Sequence, residues 1–498
     1  MTAASALAAL CLTGCMVGPK YTRPPALAQA PPAAYKESPT QFPDNSGWKV
    51  AQPQDAMLHG KWWEIYNDPE LNTLEEKLNI DDQNIKRAFE SFMEARTLIA
   101  QARSQLFPTV GVGPSYTHSA TSANVGSSAP SAAIGKQSDL FTLPFDVSWE
   151  PDLWGRVRNT IREYQYSAQV SAADLENERL SEQASLAMYF FQIRGQDALQ
   201  AILDQTVVDD QKSLDYTRAQ YDTGVGTEIS VVEAENTLEN AQAGATSLGA
   251  ARAQYEHAIA VLVGADPSSF SIPVKALDAA PPPVPIGVPS QLLERRPDIA
   301  ASERTMASAN AQIGVADAAF YPTLTLGAQG GLESSTLKHL FDWSSRFWSV
   351  GPSVSETIYD GGLRRATVNQ FIEAYNGDVA SYRETVLTAF QQVEDSLASE
   401  RILTQQMQQQ QAAAVSAQRF VDMETARYQT GIDPYIDVVT AQNTLLSDRQ
   451  TLATVQTQEM TASVQLIVAL GGGWDSTQLP TPAQVSERLT PAETTIQK

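Results

Sequence analysis

Cysteine is almost missing from this chain. Only Cys11 and Cys15 occur in 498 residues, both within the first fifteen positions, which excludes a disulfide framework and a cysteine-based metal site. Histidine is nearly as scarce: His59, His118, His257 and His339 are scattered, with no pair at metal-ligand spacing. No run of about 18 apolar residues follows the N-terminus, so a membrane crossing would have to be a closed β-barrel. Basic residues are also few. The 34 Lys and Arg face 57 Asp and Glu, a net charge of −23, and nucleic acid is excluded as a partner because phosphate binding needs a basic face. The acidity serves solubility or, more specifically, lines a pore that favours cations. No Ser/His/Asp constellation and no Gly-rich phosphate loop is present, so an enzyme is not expected.

Hydrophobic residues make up 43% of the chain, and the abundance of Ala and Gln suits long packed helices. The N-terminus carries an address. Residues 3–12 form a short apolar run that ends in Leu12-Thr13-Gly14-Cys15. Small residues before a Cys suit a signal peptidase, and this pattern resembles the lipobox of bacterial lipoproteins. Residues 1–14 are therefore expected to be a signal peptide, and Cys15 a lipidated first residue bearing N-acyl and S-diacylglycerol chains. No Lys or Arg precedes the run, so a basic n-region is missing. Met16, rather than Asp, follows Cys15, which in such lipoproteins implies sorting to the outer membrane. One acylated Cys anchors without spanning.

The chain repeats itself. Tyr221-Asp222-Thr223-Gly224-Val225 matches Tyr428-Gln429-Thr430-Gly431-Ile432 at an offset of 207 residues, and the match continues through Ala234/Ala441, Asn236/Asn443 and Leu238/Leu445. Further upstream, Phe107-Pro108-Thr109 matches Tyr321-Pro322-Thr323 at an offset of 214. The first copy thus holds extra residues, placed in the Ser/Ala/Gly stretch 119–136. The expected organisation is a lipidated Pro-rich segment 15–60, a first repeat 61–278, a Pro-rich linker 279–290, a second repeat 291–474 and a flexible tail 475–498.

Within each copy a helical run ends at an aromatic-Pro-Thr step, because a residue before Pro is pushed out of α geometry. Strands follow, at about 109–150 and 323–359. Phe141, Leu143, Phe145, Val147 and Trp149 alternate with Thr142, Asp146 and Ser148, and Val110, Val112, Pro114 and Tyr116 alternate with small or polar residues. Leu324, Leu326 and Ala328 do the same in the second copy, as do Trp348, Val350, Pro352 and Val354. Each run is close to the ~9–11 residues that a tilted strand needs to cross a bilayer. Four strands cannot close a membrane barrel, which starts at about eight, and open edges are intolerable in lipid. The barrel must be shared: two chains give eight strands, three give twelve. The alternative is a pair of soluble hairpins on an ordinary core.

The helices are long. Val368, Phe371, Tyr375, Val379, Tyr382, Val386, Phe390 and Val393 form one stripe at nearly 3.6-residue spacing, and about 50 residues would reach ~75 Å. Turns at 223–227 and 430–434 fold the helices into antiparallel hairpins, with Gly supplying the positive φ of a helix end and Pro434 restarting a helix.

Several runs together resemble TolC/OprM-type outer-membrane efflux factors, the NodT-like lipoproteins of tripartite efflux systems. They are Cys15-Met16-Val17-Gly18-Pro19-Lys20-Tyr21, Trp62-Trp63 with Asp68-Pro69-Glu70-Leu71, Asp152-Leu153-Trp154-Gly155-Arg156, Leu293-Glu294-Arg295-Arg296-Pro297-Asp298-Ile299 continuing through Ala309-Asn310-Ala311-Gln312-Ile313-Gly314, and Ala469-Leu470-Gly471-Gly472-Gly473-Trp474. The resemblance implies an α+β membrane protein: a homotrimer with a twelve-stranded barrel in the outer membrane and an α-helical tunnel across the periplasm. It implies a passive exit duct without a cofactor. The implied partners are a periplasmic adaptor (membrane-fusion) protein and an inner-membrane pump, commonly of the resistance-nodulation-division type.

The adaptor is expected to dock on the helix tips, where Gly224, Gly226 and Gly431 let the backbone turn and expose itself; the alternative is that they only stop helices. The family's periplasmic gate resembles an apolar ring followed by Asp and, three positions later, Arg. Carried onto this chain, the apolar position is Ile436, the Asp position holds Thr440 and the Arg position Asn443. The charged latch is missing, and the expectation is an Ile436 constriction with Thr440/Asn443 hydrogen bonds. Asp437 is the nearest carboxylate; a threefold ring of it would repel itself unless protonated or cation-bound, the alternative being a solvated Asp at a helix start. Two other functions compete: the exit of a type I protein-secretion system, and a periplasmic coiled-coil trimer without a pore.

Overall fold

The computed structural model describes residues 16–27, 34–37, 60–120, 122, 137–277, 279–284 and 289–487. Cys15 and most of the Ser/Ala/Gly stretch after Ser119 lie outside these residues.

A short 3-10 turn, Trp62–Tyr66, buries both tryptophans and leads into α1 (Pro69–Asp81). Asp68 caps α1, its carboxylate accepting from the Glu70 and Leu71 amides, with Pro69 in the first turn where no amide is needed. Asp82 then caps α2 (Gln83–Ser104). Three strands follow, β1 (Thr109–Val112), β2 (Ser115–Ala120) and β3 (Gln137–Trp149), and then the long helices α3 (Arg156–Asp222) and α4 (Glu228–Leu262). The second half runs α5 (Pro289–Arg295), α6 (Pro297–Ala318), β4 (Thr323–Ser334), β5 (Arg346–Ser355), α7 (Leu363–Gln429) and α8 (Tyr435–Ala469). Helices α3 and α7 have 67 residues each, and α4 and α8 have 35. The long pair exceeds the sequence expectation: 67 residues at 1.5 Å each reach about 100 Å.

All strands join one antiparallel sheet in the order β1-β3-β4-β5, with β2 also on β3. The first expected strand is divided, because Pro114 cannot donate to a ladder and β1 and β2 pair with β3 on either side of it. Register aligns like with like. Val110 lies opposite Val147, Val147 opposite Ala328, and Ala328 opposite Val350, so one apolar row crosses the sheet. The neighbouring row, Gly111, Asp146, Gln329 and Ser349, faces the other way and is polar.

The core sits midway along the helices. Trp62, Leu71, Leu78, Leu186, Phe190, Ile193, Tyr382, Val386 and Val393 belong to one buried cluster, each contributing about 1.5–3 kcal/mol on full burial. The α7 stripe grades along its length: Tyr382, Val386 and Val393 are fully buried, Tyr375, Val379 and Phe390 partly so, and Val368 and Phe371 near the sheet are half-buried.

The short sequence motifs meet in pairs at the two junctions of the fold. Val17 accepts from Asn159 and donates to Trp154 O, while Trp154 donates to Pro322 O and stacks on Tyr321 at 4.8 Å. Gly18 passes so close to Gly314 that a Cβ would stand 2.5 Å from the Gly314 Cα. At the second junction the buried Arg296 is held by Asp298 and donates to Ala469 O at 3.0 Å, and Gly471 lies against Arg295 O.

The C-terminal segment departs from expectation. Residues 475–487, read as the start of a flexible tail, form two 3-10 turns and lie against α2 and α3 with Val485 buried. Gln165, Gln169, Arg96 and Arg103 donate to the carbonyls of Pro482, Pro480, Val485 and Ser486. Backbone acceptors hold this stretch, so its polar, Pro-rich composition gave no sign of it.

Candidate channel wall, helix tips and gate

One face of the sheet is apolar and exposed. Val110, Val112, Trp348, Val350 and Val354 are 59–79% exposed, a contiguous apolar surface of the kind that marks a lipid or protein contact. On the opposite face Ser115 bonds Thr142 at 2.6 Å, so polar side chains there satisfy one another.

At the far end the helices fold back at two tips. In the first, Val225 and Gly226 both donate to Gln220 O at 2.9 Å, and Gly224 adopts φ +77°. In the second, Ile432 donates to Arg427 O at 2.9 Å and Gly431 adopts φ +74°. These are left-handed helix ends, where a side chain is strained. Gly226 has a different reason: a Cβ there would stand 3.0 Å from the Tyr221 amide nitrogen. Gly224 and Gly431 face open space, so both glycine tips are sterically free to receive another surface. Pro434 stands as the cap before α8 rather than inside its first turn.

The two hairpins pack on each other just above the tips. Leu214, Ala234, Leu238, Tyr435, Val438 and Val439 form a small buried cluster with Tyr428 against it. The Tyr428 ring is 6.1 Å from Tyr216 and 5.2 Å from Tyr435. Burial pushes the Tyr435 phenol up to about 12. Each hairpin also carries an ion pair across its own turn, Arg218 with Glu235 at 2.5 Å and Arg427 with Asp433. The Arg427 guanidinium holds the Asp433 carboxyl below the usual range.

Ile436, Thr440 and Asn443 share one face of α8, as their i, i+4, i+7 spacing requires. Ile436 is 46% exposed, and it borders a cavity with Asn443. The Thr440 hydroxyl donates to Ile436 O at 2.8 Å, within its own helix. Asp437 is separate from this stripe, its carboxylate lying within 4.8 Å of those of Glu424 and Asp433. Sequence reading did not find Asp210. It is 3% exposed on α3 and lines the same cavity as Ile436, and burial, with Asp209 adding, pushes its carboxyl up to about 6. A single acid in a polar helical stretch carries no periodic signal that it faces inward.

The family model described as outer membrane efflux protein matches residues 76–265 and 288–472. The chain is 29% identical over 472 residues to the probable efflux pump outer membrane protein TtgC of Pseudomonas putida, covering 94% of this chain and 95% of that one. It is likewise 29% identical to outer membrane protein OprJ of Pseudomonas aeruginosa, again over 94% and 95% of the two chains. Among solved structures, the outer-membrane channel OprN superposes with a TM-score of 0.81 at 26% identity, over 92% of this chain and all of that one. The CmeC outer membrane channel of Campylobacter jejuni shares the fold, with a TM-score of 0.83 at 21% identity over 96% and 100% of the chains. With the family model spanning both hairpins and these relatives matched over more than nine-tenths of their length, the chain belongs to the outer membrane efflux protein family: it is the outer-membrane channel of an efflux pump.

Proposed function

We propose that three copies of this chain, built by internal duplication, close a twelve-stranded barrel over a helical tunnel and act as the passive exit duct of a tripartite pump. The observation that carries this is the sheet itself. Its strands expose an apolar face, while β5 and the β1/β2 side form its two ends, and in lipid such ends must pair with another chain. The duplication is supported by equal element lengths: α2 and α6 have 22 residues each, matching the equality of the long helices. Native mass spectrometry of the detergent-extracted protein tests the assembly. A trimer is expected, and a stable dimer would overturn the reading.

Cys15 is the lipid attachment point in this proposal. Met16 packs against Gly155, whose Cβ would stand 2.7 Å from the Met16 Cγ, at the step from β3 into α3. An acyl chain on the preceding residue would leave the fold where sheet meets helices, the level of the inner leaflet. The tips at Gly224, Gly226 and Gly431 meet the periplasmic adaptor, and the inner-membrane partner is a pump of the resistance-nodulation-division type. Relatives are named for toluene and antibiotic efflux. In this chain selection rests with the pump, and the duct conducts what it is handed. The closing element is the Ile436 constriction, backed by the packing of the two hairpins rather than by a charged latch between subunits.

A further inference from the structure

The cavity behind Ile436 has a chemistry of its own. It measures about 320 Å³ and is walled by α3, α4 and α8. Two carboxylates, Asp210 and Glu233, line it together with the amides of Asn236, Gln442 and Asn443, and no Lys, Arg or His does. Asp210 Oδ2 is buried without a hydrogen-bond partner. Gln442 Oε1 is in the same position, because the amide nitrogen of Gln442 is turned to the Ser213 hydroxyl at 3.2 Å. The cavity is therefore bordered by two buried oxygen acceptors without partners and by no cationic donor. A bare carboxylate in such a place is costly unless something positive meets it. The neighbours of Asp210 add no counter-charge: Asp209 lies on its own helix, Glu233 on α4 and Tyr435 on α8.

We propose that this cavity is a binding site for a hard divalent cation, Ca2+ or Mg2+, held by Asp210 of α3 and Gln442 of α8 with Glu233 of α4 and retained waters. Oxygen-only ligands suit these ions, which take six to eight of them and keep water where the protein supplies fewer. The volume has room for such waters, whereas a single shared proton would leave most of it unexplained. The ion would tie the first hairpin to the second directly behind Ile436; any effect on leakage rests on the gate reading above, but binding does not.

The test is titration of metal-stripped, full-length protein with CaCl2 by calorimetry, and with Mn2+ followed by electron paramagnetic resonance. One site per chain is expected. Asp210→Asn should weaken it at least about tenfold, while Asp437→Asn, on the exposed tip, should leave it in place. Equal binding by Asp210→Asn and wild type, or no site in wild type, would overturn the proposal. Should Asp210→Asn fail to assemble, an anomalous-scattering map of Mn2+-soaked wild-type crystals decides. A peak against Asp210 and Gln442 sustains the site; no peak, or one only at Glu424, Asp433 and Asp437, overturns it. Planar-bilayer leakage is read separately, so ion binding with unchanged leakage would sink the gate reading and spare the site.

Discussion

The hydroxyl of Tyr428 donates to Gln220 Oε1 at 2.5 Å, joining the two helical hairpins about one turn above their tips. Tyr428 also matches Tyr221 at the 207-residue sequence offset, so the link runs from one hairpin to the residue beside its sequence match in the other. Tyr428→Phe keeps both ring contacts and removes only this bond, which is worth about 0.5–1.5 kcal/mol. Closed-state conductance in planar bilayers should rise roughly two- to tenfold. Unchanged leakage from a properly assembled variant would show that the bond does not hold the tips.

The Arg427–Asp433 pair sits at the second tip beside Glu424 and Asp437. Arg427 is half exposed and Asp433 partly so, so Arg427→Gln should change the melting temperature little. It should, however, leave three neighbouring carboxylates without their cation. Leakage of the variant should be greater in about 0.02 M salt than in about 0.5 M, where repulsion is screened. A salt-independent effect would count against electrostatic clasping.

Glu400 on α7 is buried beside Glu459 of α8, and burial followed by that neighbour pushes its carboxyl up to about 7. The folded state thus holds a proton that the unfolded chain has already released above its ordinary value of 4.5. The linked stability is present below about 4.5, falls as pH rises, and is lost once pH passes about 7; its size is of the order of 3 kcal/mol. Glu400→Gln mimics the protonated acid. The variant should melt at a higher temperature than wild type at pH 8, and the difference should shrink as pH falls and vanish near pH 4. A constant difference across that range would refute the assignment to Glu400.

Ile436 and Thr440 should separate in a gating assay, although they share a helix face. Ile436→Gly removes the side chain proposed to constrict the channel and should raise closed-state conductance severalfold. Thr440→Ala loses only a hydroxyl already committed to Ile436 O, so leakage should stay within about twofold. An Ile436→Gly channel as tight as wild type would place the constriction elsewhere.

What could be read before folding was what has a period or a special backbone. Strand faces were legible because large apolar residues recur at every second position from Phe141 to Trp149 and from Trp348 to Val354, and the tips because Gly224 and Gly431 must adopt positive φ. The short motifs were legible as signatures, but only the structure explains them, as Gly18 against Gly314 and Arg296 against Ala469. What escaped was pairing without periodicity. Glu400 and Glu459 are far apart in the chain, and the Arg427–Asp433 pair spans a turn at a spacing no helix dictates. The strand break at Pro114 escaped too, because Pro114 fits the alternation while lacking the amide a ladder needs.

The matched 67-residue helices α3 and α7 also act as a ruler. Each residue adds about 1.5 Å along the axis, so their length sets the distance from the sheet to the tips. Removing seven residues from both would shorten that reach by about 10 Å while turning the buried stripe by only ~20°. Removing them from one alone would throw the two tips out of level and part Tyr428 from Gln220. The distance from sheet to tips is thus set twice in this chain, and the two long helices can change only together.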